Sequence, residues 1–120
     1  LFMFFNSSIF KTLEAGVRLA KLQQDLHLQN IANIETPGYK AKALVFKEVL
    51  KDASNPKKVK SIRAAIVEDE SSSAQPDGNN VDYETESIGL YKSYVQYSML
   101  IDKITGEFDK YSYVLNSNIK

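Results

Sequence analysis

The sequence predicts a mainly α fold: two long terminal helices forming an antiparallel, coiled-coil-like hairpin, joined by an irregular middle that includes a short β element. Three observations lead there. Apolar residues recur at helical spacing from about residue 9 to 33. From about 82 to 116 they step by four and three, the period of a coiled-coil seam. The stretch between, about 39 to 80, is broken by clusters of turn formers. With 120 residues the chain has room for one modest domain, so 1–120 is expected to form a single unit.

Ser7 or Ser8 is available to cap the first helix. At about 100° per residue, Phe10, Leu13, Val17, Ala20, Leu28 and Ile31 form one apolar stripe, with Ala15, Leu19, Leu22 and Leu26 nearly opposite. Lys11, Glu14, Arg18, Lys21 and Asp25 make a charged wall between them. A helix patterned this way needs apolar partners on two sides.

Along the second helix the seam is Leu90, Tyr94, Tyr97, Ile101, Ile104, Phe108, Tyr111 and Leu115. A further face, Ile88, Tyr91, Val95 and Met99, covers only its first half, and Gly106 and Asp109 are expected to interrupt the pattern. Pairing two such helices leaves apolar surface over, which points to other subunits. In the middle, 39–51 reads as extended and then briefly helical, 55–58 as a turn and 59–67 as a short strand. The polar, Ser-rich and acidic 68–80 reads as a mobile loop.

Two signatures flank these helices. In the first, Asn30-Ile31-Ala32-Asn33-Ile34-Glu35-Thr36-Pro37-Gly38-Tyr39, Pro37 disfavours helix at Thr36, and Pro37-Gly38 suits the centre of a type II turn. Asn30 and Asn33 offer amides to the free carbonyls of the helix end, and Tyr39 a ring to pack beside the turn. In the second, Asp77-Gly78-Asn79-Asn80-Val81-Asp82, the first four residues are turn formers and Asp82 is an N-cap, with Glu84 and Glu86 complementing the helix dipole.

Several function classes find no support. Fifteen basic and fifteen acidic residues cancel, so a basic footprint for nucleic acid is missing, and the seven tyrosines belong mainly to helical stripes. With no cysteine, neither disulfides nor thiolate metal sites are possible. No run approaches twenty apolar residues. Leu1-Phe2-Met3-Phe4-Phe5 followed by Asn6-Ser7-Ser8 has no basic n-region and no small-residue cleavage site, so a cleaved signal peptide is not expected. Calcium binding by Asp77, Asn79, Asp82 and Glu84 mismatches EF-hand spacing, and a hydrolytic site on Asp77, Asp82 or Glu84 has no second constellation to complete it. His27 stands alone among polar neighbours and is expected at a surface or interface. A helical, self-associating protein remains, whether a structural subunit or a coiled-coil regulator.

The motif Asn30, Asn33, Thr36, Pro37, Gly38 and Tyr39 is similar to the Asn-x-x-Asn-x-x-Thr-Pro-Gly-Tyr that ends the N-terminal helix of bacterial flagellar axial proteins of the rod and hook class. The 77–82 run before a heptad helix, together with the small size, resembles the proximal-rod members of that class. The resemblance covers about 10–46 and 76–115; Ile34-Glu35 and Gly106 depart from it. It implies a structural subunit with no catalytic, metal or cofactor site, the two signatures serving as assembly motifs and Leu19, Leu22, Leu26 and the C-terminal seam as packing positions. It further implies export through the flagellar type III system, folding on assembly and passive torque transmission in the periplasmic rod of the basal body. The partners implied are further copies, the rod proteins FlgC, FlgF and FlgG, the adapter FliE, the membrane ring and the export gate.

Overall fold

The computed structural model describes residues 5–50, 60–71 and 75–117. Helix α1 spans Ser8–Ala32, strands β1 and β2 span Lys42–Leu50 and Lys60–Glu68, and helix α2 spans Tyr83–Ser117. The chain divides into two compact units: Leu26–Ser87, and the residues up to Asp25 together with those from Ile88 on.

In the unit that holds both chain ends, α1 and α2 form the predicted antiparallel hairpin. Ser7 Oγ accepts the Phe10 amide at 3.1 Å and so caps α1. The pairing runs through small residues: Ala20 and Ser93 are buried, and the Leu100 side chain lies over Gly16, where an added Cβ would come within 3.3 Å of it. Leu19, Leu22, Leu90, Tyr97, Ile104 and Tyr111 are half-buried. Tyr94, Ile101, Phe108 and Leu115 are exposed, as is Leu28 of the other unit. The charged wall lies in solvent, with Glu14 2.7 Å from Arg18 and Lys21 3.8 Å from Asp25. Exposed pairs of this kind contribute about 0–1 kcal/mol each.

Gly106, which departs from the apolar pattern, does not interrupt the helix itself. The helix runs unbroken to Ser117, because an isolated glycine costs only about 1 kcal/mol against alanine and many flanking helical residues outweigh it. An added Cβ at Gly106 would meet nothing within 4 Å. Gly106→Ala is therefore expected to stabilise α2 by about 0.5–1 kcal/mol, read as an upward shift of the thermal midpoint. An unchanged or lowered midpoint would mean that a neighbour needs the bare backbone there.

The other unit carries the sheet, an antiparallel ribbon in which Lys42 pairs with Glu68, Phe46 with Ala64 and Leu50 with Lys60. The brief helical stretch expected in the later part of 39–51 is instead the second half of β1. Phe46, Val49 and Leu50 have helix-like spacing, but pairing with the β-rich 60–68 segment satisfies their backbone. The turn expected at 55–58 lies outside the described residues. Leu26, Ala41 and Val81 are buried here beside the polar Asn30, Asn79 and Glu86.

Candidate functional site

The two signatures meet in the Leu26–Ser87 unit as one hydrogen-bonded clasp. Asn30, on the last turns of α1, is wholly buried at 0% exposure. Its Oδ1 accepts from the Lys42 amide at 2.9 Å and the Tyr39 hydroxyl at 3.2 Å, and its Nδ2 donates to the Lys42 carbonyl at 2.8 Å. One side chain thus holds both backbone groups at the start of β1. The sequence reading aimed this amide at the helix-end carbonyls, and only Asn33 does that, donating to Gln29 O at 2.8 Å. Thr36 Oγ1 donates to Asn33 Oδ1 at 3.0 Å. The Tyr39 amide closes on Thr36 O at 3.2 Å around Pro37-Gly38. Gly38 takes a φ of 72°. Together these are the marks of a type II turn.

Asn79 supplies the caps that the first signature lacks. Also at 0% exposure, it donates through Nδ2 to Asn33 O at 2.8 Å and Thr36 O at 2.9 Å, while its Oδ1 accepts the Val81 amide at 2.9 Å. A residue 46 positions downstream of Asn33 therefore caps the end of α1. Gly38 N donates to Asp77 O at 2.9 Å, and the Lys40 ammonium donates to Gly78 O at 2.6 Å. Gly78 sits at φ 83°, and a Cβ there would lie 3.8 Å from Gly38 Cα, so two glycine turns stand back to back. Asn80 accepts the Ala41 amide at 2.7 Å and donates to Asp69 O at 2.7 Å. The end of the stretch read as a mobile loop is thereby tied to the strand entry; 72–74 lie outside the described residues. Asp82 Oδ1 caps α2 through the Glu84 amide at 3.0 Å.

His27 is not a lone surface residue. Its Nδ1 lies 2.6 Å from Oε2 of the nearly buried Glu86, a contact across 59 positions that helical periodicity does not reveal. Burial is the first cause that raises the Tyr39 hydroxyl pKa above its ordinary 10.0, followed by the negative charges of Glu86 and Glu68. A raised folded-state pKa means that the native state holds this proton more tightly, so its contribution is complete below about pH 10 and lost as pH rises through the folded value. Tyr39→Phe should remove that part of the alkaline destabilisation, measured as the midpoint difference between neutral and strongly alkaline buffers. An identical alkaline loss in the variant would show that other groups carry it.

Chemically the clasp is closed. The Asn79 carboxamide is occupied on both sides, Asp77 Oδ1 accepts the Asn79 amide and Asp82 Oδ1 serves the helix start, so these oxygens are committed to backbone amides. Among the described residues no group of three His, Asp or Glu is placed to hold a metal ion, and no buried side-chain polar atom lacks a partner. A cleft of about 350 Å³ at the end of α2 is lined by Glu107, Lys110, Tyr111, Val114 and Leu115, and includes no signature residue. Hydrogen bonding from Lys110, with the nearby Lys103, holds the Glu107 carboxyl below its usual range.

No protein-family model matches the chain. It is 30% identical over 123 residues, 91% of this chain and 94% of the relative, to the flagellar basal body rod protein FlgB of Bacillus subtilis (strain 168). The chain belongs to the FlgB family. It is a structural protein of the flagellar rod, and the expected rod-class resemblance is met by a relative aligned across nearly its whole length. For this FlgB-family chain the sequence reading missed the mutual contact of its two signatures, the Gly16–Leu100 contact and the His27–Glu86 pair. The four-residue spacing of Gly16 and Ala20 was the available signal for close helix approach; the long-range pairs had none.

Proposed function

We propose that the chain acts as a single rod domain in the proximal rod, exported by the flagellar type III system and polymerising into the helical tube that transmits torque. The observation that carries this reading is the line Tyr94, Ile101, Phe108 and Leu115, apolar or aromatic, seven residues apart and all exposed on a helix whose other seam positions are half-buried. A heptad line exposed to water is a surface for another helix, and this reading assigns further copies of the chain as its occupant. Its neighbours in this reading are FlgC, FlgF, FlgG and the adapter FliE, at the membrane-ring and export-gate end of a periplasmic rod. The two signatures serve assembly by fixing where α1 stops and α2 starts, so that both seams reach the tube in register. The role is mechanical, with no catalysis, cofactor, small-molecule substrate or nucleic acid. Imaging basal bodies that carry a labelled subunit tests it: label at the membrane-ring end of the rod is expected, and label absent from the rod would overturn it.

A further inference from the structure

The β1–β2 ribbon carries two cations in an unfavourable place. Lys47 and Arg63 are direct cross-strand partners on one face, and both are exposed. Edge strands carry charge to discourage pairing, but like charges directly opposite each other are destabilising. Neither side chain has a carboxylate at ion-pair distance among the described residues. The next row on that face, Val45 opposite Ala65, is only half-buried.

Most of the acidic residues of this unit lie toward the other end of the ribbon. From Ala64 to Ser87 the sequence holds seven acidic residues and no basic one. Asn80 ties Asp69 O, and with it the 69–71 stretch, to the segment that leads into α2, so Glu70 joins the same part of the unit as Asp82 and Glu84. All three are exposed. Arg63 and Glu68 both lie on β2, five positions apart. At the rise of an extended strand that separation is roughly 16 Å, well beyond what a lysine or arginine side chain spans. The chain is electrically neutral overall, yet the Lys47–Arg63 row and the carboxylates of 68–86 are separated along the ribbon.

We infer that the Lys47–Arg63 face of the ribbon docks onto the acidic stretch around Glu70 and Glu84 of a second copy of this chain. The contact is heterologous, one patch meeting a different patch, so every docked copy presents a fresh ribbon and a fresh acidic stretch, and the series propagates as an open helix. The carboxylates also relieve the repulsion between the two cations. The inference deepens the rod reading, on which it rests, by naming one subunit–subunit contact separate from the α2 seam.

Charge reversal tests it on the purified full chain by sedimentation at low salt. The Lys47→Glu, Arg63→Glu chain and the Glu70→Lys, Glu84→Lys chain should each self-associate about tenfold more weakly than the parent, with unchanged helical content. Mixing the two, or combining all four changes in one chain, should restore association, and added salt should weaken it throughout. Reversals without effect, a mixture that does not recover, or a parent that stays monomeric at its highest soluble concentration would each overturn the inference. So would ribbon-dependent binding to phosphatidylglycerol vesicles with self-association untouched, since the ribbon would then be a lipid-facing element. Failure here with labelled subunit still found in the rod leaves the rod reading standing; loss of the label from the rod removes that reading instead.

Discussion

An Asn79→Ala chain is expected to lose about 2–4 kcal/mol of stability in urea denaturation. The substitution strips partners from the Asn33 and Thr36 carbonyls and from the Val81 amide, and orphaned polar groups in a buried setting cost about 1–3 kcal/mol each, less where water reaches them. Against the roughly 5–15 kcal/mol of an ordinary domain this is a large fraction. Asn79→Asp should be at least as damaging, because it keeps the acceptor for Val81 but sets a carboxylate against two carbonyls. Asn33→Ala is the control: its side-chain bonds are local and exposed, and it should cost about 0.5–1 kcal/mol. A loss below about 1 kcal/mol for Asn79→Ala would mean that the two signatures are not energetically coupled.

Ile101→Asp should have the opposite profile, with little effect on the isolated chain and a total effect on assembly. Ile101 is 38% exposed in the helical hairpin, so a carboxylate there keeps contact with water. Buried against a neighbouring helix, the same unpaired charge costs several kcal/mol, enough to abolish the contact. Phe108→Asp, one heptad further on, should behave in the same way. Glu14→Gln and Lys21→Gln, on the charged wall, should do little. Cells making the seam variants should export the protein and build no rod beyond the membrane ring. Normal motility in them would sink the assignment of this seam to rod assembly.

How much of this could be read from the chain follows from how local each signal is. Helix ends were legible because Ser7, Pro37, Gly38 and Asp82 act within four residues of themselves, and the observed bounds differ from the expected ones by a single residue. The turn at Gly38 was legible because a proline followed by a glycine leaves few alternatives. The second half of β1 was not, since Phe46, Val49 and Leu50 satisfy a helical spacing until β2 claims the backbone. Within the clasp, Asn79 and Asn80 looked like generic turn formers because their partners lie 43–46 and 39 positions away. His27 looked solitary for the same reason. The side chains that close the unit are polar and carry no hydrophobic periodicity to announce them.

The cap on α1 supplied by Asn79 also sets an order of events. A chain delivered N-terminus first presents residues 8–42 long before 77–82 arrive, and in that interval the end of α1 has neither of the carbonyl partners that Asn79 provides. Closing so long a loop must be paid for before the contacts it makes reward it, which places the step late and makes it slow. In the rod reading proposed above, the first half of an exported chain therefore stays uncapped until a single asparagine arrives and fixes it.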